Sequence, residues 1–128
     1  MSRNRFVDTT ATQRISLSDG DWIEVKRELN NGDCKKLDVA GQLPPMQVNG
    51  KLIFPIDWEV YEIERSLIWL VDWSFKDAND KPVKLDISGM KALDIDSFDE
   101  LNGAIVKHAL EVNQERVAKK AARMKKPE

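Results

Sequence analysis

The sequence predicts an α+β fold, mainly α, on three observations. An alternating apolar pattern broken by Asp19-Gly20 lies near the N-terminus, a helical apolar repeat runs from Val60 to Leu70, and a second runs from Phe98 to Val112. They translate into an N-terminal β-hairpin, a central amphipathic helix and a long C-terminal helix. At 128 residues the chain fits one domain, because a single hydrophobic core is the usual solution at this length. The expected limits are a flexible N-terminal tail over residues 1–13, one globular domain over 14–112 and a basic helical or frayed extension over 113–128.

The hairpin rests on Ile15 and Leu17 before Ser18-Asp19-Gly20-Asp21, with Trp22, Ile23, Val25 and Leu29 after it. Asp-Gly supplies positions that tolerate positive φ, so a tight turn is favoured. The competing reading is a helix from Trp22 to Leu29, since Trp22, Val25 and Leu29 also fit helical spacing. Asn30-Asn31-Gly32-Asp33 breaks the chain again, with Asp33 expected to cap a short helix carrying Leu37 and Ala40 up to Gly41. Residues 42–55 hold Pro44, Pro45, Gly50 and Pro55 and are expected as a loop, with Asn49-Gly50 as a turn and a short extended piece at Lys51–Phe54.

Val60, Ile63, Leu67 and Leu70 repeat at three- and four-residue steps, so the central helix is predicted from about Asp57 to Trp73. Tyr61, Ile68, Trp69 and Val71 widen its apolar face and imply contact on two sides. Asp77-Ala78-Asn79-Asp80 reads as a polar turn and Pro82 as a rigid exit into Val83 and Leu85. Asp86 or Ser88 is expected to cap a short helical turn bearing Met90 and Leu93. The C-terminal helix is predicted to start at a capping box formed by Ser97 and Glu100 and to run to Lys126. Phe98, Leu101, Ile105, His108 and Val112 draw one narrow apolar seam along it, and the remainder is too long to lie on so small a core.

Composition excludes several classes. The net charge of −2 provides no overall field to recruit nucleic acid or an anionic membrane. Charge is uneven, however: residues 114–128 carry six basic and two acidic side chains, a net of +4, which leaves −6 on residues 1–113. That basic end is read as a solvated helix terminus, a protein-docking arm or, least favoured, a nucleic-acid contact. A lone cysteine, Cys34, excludes an internal disulfide and points to a reducing compartment. The polar N-terminal residues are expected to act as neither a signal peptide nor a membrane anchor.

No catalytic, cofactor-binding or metal-binding residue is predicted. The single histidine, His108, lies in the apolar seam without a second imidazole or thiolate beside it, so a structural role is favoured. Asp77 with Asp80, and Asp94 with Asp96 and Asp99, fail the alternate-ligand pattern of a calcium loop, and turn and cap duties explain them. The six glycines form no phosphate cradle. Of Trp22, Trp58, Trp69 and Trp73, Trp58 is the best candidate for an exposed interface anchor, being at a helix start beside acidic residues. Candidate protein-contact residues are Trp58, Tyr61, Ile68, Phe98, Leu101, Ile105 and Val112, with Lys119, Lys120 and Arg123 on the basic end.

The stretch from Asp19 to Leu29, then Asp72-Trp73-Ser74-Phe75, Lys81-Pro82-Val83 and Leu93–His108, resembles in order and spacing the small tail assembly chaperones of siphophages and prophages. The resemblance spans about residues 15–112 and carries no sharp motif. It implies a non-enzymatic helper in the cytoplasm of the bacterial host, absent from the mature virion. Its implied partners are the tape measure protein, which it coats, and the tail tube protein, which it recruits; self-association is compatible, and neither membrane nor nucleic acid is expected. In such families a longer form often arises by frameshifting, with which Lys119-Lys120 and Lys125-Lys126 are compatible. The competing classes are a head-tail connector or minor tail protein kept in the virion, and a small nucleic-acid-binding regulator.

Overall fold

The computed structural model describes residues 3–124. Thr12–Ser16 (β1) and Trp22–Lys26 (β2) pair antiparallel with Ile15 opposite Ile23, so the hairpin forms and the alternative helix does not. Asp19 and Gly20 take φ of 58° and 79° in the connecting turn, which Asp-Gly accommodates readily. Ile23 and Val25 are fully buried on one face of β2. Pairing starts inside the predicted tail: the Arg27 N–H donates to the Ala11 carbonyl at 3.1 Å, ahead of β1.

Helix α1, Asn31–Asp38, is capped by Asn30 rather than Asp33. The Asn30 side chain accepts from the Asp33 N–H at 2.8 Å and the Asp33 carboxylate accepts from the Asn30 N–H at 3.3 Å, a reciprocal box with Asp33 at its third helical position. The chain then reaches Gly41, whose φ is 69°. A Cβ there would lie 2.6 Å from the Asp57 carbonyl oxygen and 2.7 Å from the Tyr61 Cβ, so only glycine permits this approach to the next helix.

The expected loop over residues 42–55 contains a second hairpin. Met46–Val48 (β3) pairs with Lys51–Ile53 (β4) about Asn49 and Gly50, whose φ values of 52° and 76° suit a tight two-residue turn. The prolines flank these strands rather than interrupt them, and the Asn-Gly turn therefore prevails.

Helix α2, Trp58–Trp69, is capped by Asp57 and ends four residues before its predicted limit. Leu70–Trp73 becomes β5 and pairs with β2, with a register shift at Glu24/Val25, which completes a sheet of order β1-β2-β5. The apolar run Leu67–Val71 is too dense for one helix face, and the open edge of β2 offers backbone partners; extended backbone buries both Leu70 and Trp73. The Trp73 indole N–H donates to the Val83 carbonyl at 2.8 Å, beyond the Asp77–Asp80 turn. Asp86 caps α3, Ile87–Ala92, as expected.

Helix α4 runs Ile95–Met124 and begins differently from its prediction. Asp94 accepts from the Ser97 N–H at 2.8 Å and from the Ser97 hydroxyl at 3.0 Å, making Ser97 a donor inside the first turn instead of the cap. Glu100 is thereby released for a tertiary contact. The core joins Ile23 and Val25 of β2, Ile63 and Trp69 of α2, Leu70 and Trp73 of β5, Met90 of α3, and Leu101 and Ile105 of α4. Among the described residues no helix is long and apolar enough to cross a membrane.

Candidate protein-binding surface

The densest group of exposed apolar residues lies on one feature. The β3–β4 hairpin stands on a neck where the Leu43 N–H donates to the Pro55 carbonyl at 3.0 Å and Gln42 bridges to Ile56. Every residue from Gln42 to Phe54 is exposed. Strand alternation sets Met46, Val48 and Ile53 on one face and Leu52 and Phe54 on the other. Both faces are open to solvent, with Val48 45% and Leu52 57% exposed. An isolated two-stranded hairpin is marginal in water, and a concentrated apolar surface of this kind is a candidate binding site.

Trp58 extends the surface to the base of the arm and is 65% exposed, as its position at a helix start suggested. Its ring meets Tyr61 edge-on at 5.5 Å between centroids. The Arg65 guanidinium lies 5.3 Å from the Tyr61 ring, and its Nη2 donates to the Asn102 Oδ1 at 2.7 Å. A continuous row of Trp58, Tyr61, Arg65 and Asn102 thus anchors the arm's base to α4. The Trp58 indole is a large flat contact held by few rotatable bonds, which is what an interface anchor requires.

The other proposed contact residues divide by burial. Tyr61 and Ile68 are half-buried on α2, and Ile68 borders a shallow hollow with Val39, Glu64 and Leu67. Phe98 and Val112 are half-buried at the margin of the core. Leu101 and Ile105 have no exposed surface, so their place as contact residues is corrected: they are the helix side of the core. Lys119, Lys120 and Arg123 are exposed on the far half of α4. Lys125 and Lys126 lie outside the described residues.

His108 is buried, with Nε2 2.8 Å from the Lys26 carbonyl oxygen and its ring edge-on to Trp69 at 5.2 Å. A carbonyl only accepts, so this nitrogen carries the proton and ties α4 to the end of β2. Cys34 is exposed on α1. Among the described residues no three His, Cys, Asp or Glu side chains converge as a metal site requires.

Sequence reasoning placed the Asn49-Gly50 turn and the extended piece after it but missed the partner strand, although Asn49-Gly50 lies between Met46-Gln47-Val48 and Lys51-Leu52-Ile53, two short apolar-containing runs. No family model, curated protein sequence or solved structure matches the chain, so the functional argument rests on this surface and on the sequence itself.

Proposed function

We propose that the chain is a non-enzymatic phage tail assembly chaperone, acting in the cytoplasm of the bacterial host and left out of the finished particle. In this reading it binds the tape measure protein and recruits tail tube subunits. The observation that carries it is the apolar arm: Met46, Val48, Leu52, Ile53 and Phe54, with Trp58 at its base, present side chains that the chain's own core does not use. A tape measure is a long helical protein with apolar stripes, and an apolar surface on a short, narrow arm is suited to masking them. The resemblance over residues 15–112 is the ground for the family reading; its segments fall on β2, the end of β5, the connection before α3 and α4.

The test is co-expression with a siphophage tape measure protein and tail tube protein, followed by co-purification. The wild-type chain is expected to retain the tape measure, and Leu52→Asp with Phe54→Asp to lose at least about tenfold of the retention while keeping the far-UV spectrum. Mass spectrometry of purified virions separates the chaperone, which is absent, from a connector or minor tail protein, which is present in fixed proportion. No retention of either partner, or stoichiometric presence in virions, overturns the proposal.

A further inference from the structure

Helix α4 carries a second stripe that neither the core nor the arm uses. Val106, Leu110, Val117 and Met124 are all exposed, and with Asn113 and Lys120 they follow alternating steps of four and three residues. At about 100° per residue, Leu110 lies about 140° around the helix from the fully buried Ile105, so this line faces away from the body. Residues 113–124 are exposed throughout, a stretch of about 18 Å at ~1.5 Å per residue. The same heptad line begins, through Gly103, at Asp99 and Asp96. It therefore runs from acidic Asp96 and Asp99 through apolar Val106 and Leu110 to Val117, Lys120 and Met124, with Arg116 and Arg123 flanking its far end.

A helix ordered in this way complements itself only when reversed. Parallel pairing sets Asp96 against Asp96 and Lys120 against Lys120. Antiparallel pairing with Val106 opposite Leu110 brings Lys120 of each copy opposite Asp96 of the other, with Val106 and Leu110 at the centre and Val117 beside Asp99. We propose that the outer face of α4 is a self-association surface on which two copies of this chain pair antiparallel, the basic end of each helix lying on the acidic start of the other. The like charge of Arg123, and next of Arg5, holds the Arg3 guanidinium below its ordinary value, so the N-terminal arginines add to the basic end that a second copy's carboxylates would offset. This surface is separate from the β3–β4 arm, and the two stand or fall independently.

Sedimentation equilibrium of the full chain, from about 1 to 100 μM at low and high salt, tests it. A dimer that weakens as salt rises is expected. Leu110→Glu should give a monomer with an unchanged far-UV spectrum, since the side chain projects into solvent. Lys120→Glu and Asp96→Lys should each weaken the dimer by at least about fivefold, and the double variant should restore it. The restoration is specific to the antiparallel arrangement, because along one helix the two positions are about 36 Å apart. A chain monomeric throughout the range, a dimer indifferent to Leu110→Glu, a double variant no better than the singles, or a monomer that instead shifts a DNA probe at low salt would each overturn the assignment.

Discussion

Glu100 on α4 accepts hydrogen bonds from both the backbone N–H of Ser18, at 3.1 Å, and its hydroxyl, at 2.9 Å, 82 residues earlier in the chain. One carboxylate thus fastens the tip of the first hairpin to the first turns of the last helix. Both groups are exposed, so solvent screens the contact. Glu100→Ala should lower stability by about 1 kcal/mol in urea unfolding, and Ser18→Ala should add little in the Glu100→Ala background.

His108 closes the opposite end of the same helix contact. His108→Ala leaves the Lys26 carbonyl without its donor and opens a void beside Trp69. A loss of about 2–4 kcal/mol is expected from the midpoint and slope of denaturant unfolding.

Gly41 and Gly50 both have positive φ, but their surroundings differ. At Gly50 an added Cβ meets nothing within 4 Å, whereas at Gly41 it meets the start of α2 at 2.6 Å. Gly50→Ala should cost about 1 kcal/mol, the backbone penalty alone. Gly41→Ala should cost more and displace the α1–α2 junction, visible as faster amide exchange near Ala40 and Asp57.

The hydrogen bonds from the Ser97 N–H and hydroxyl hold the Asp94 carboxyl below its ordinary value of 3.8. Those from the Thr10 hydroxyl and N–H do the same for Asp8. Because the folded pKa is the lower one, this stabilisation is fully present above the unfolded value. It is lost as pH falls through the folded values. Asp94→Asn should retain a capping oxygen while flattening the acid limb of the curve of melting temperature against pH.

Leu101 and Leu110 stand nine residues apart on α4 with opposite surroundings, the first fully buried and the second more than half exposed. Leu101→Ala is expected to cost about 3 kcal/mol and Leu110→Ala less than about 0.5 kcal/mol in unfolding of the dilute chain.

What could be read from the chain was local. Asp19-Gly20 marked the first turn, Asp86 the cap of α3, and the three- and four-residue apolar steps marked α2 and the buried seam of α4. Each depends on neighbours within one or two turns, whose preferences a sequence states directly. Two local signals competed where the structure differs from the reading: Asn30 against Asp33 for the α1 cap, Asp94 against Ser97 for the α4 cap, and strand against loop for Met46–Val48 among the surrounding prolines.

The sequence by itself determined the mixed fold class, the positions of the turns and the uneven charge along the last helix. Only the tertiary structure decided that Leu70–Trp73 leaves its helix to pair with β2, that Leu101 and Ile105 are core, and that the β3–β4 arm stands clear of it. The reason is that an apolar residue carries the same transfer preference wherever it lies in the chain. Which of them the single core can enclose, and which remain for a partner, depends on how many strands and helices converge in space.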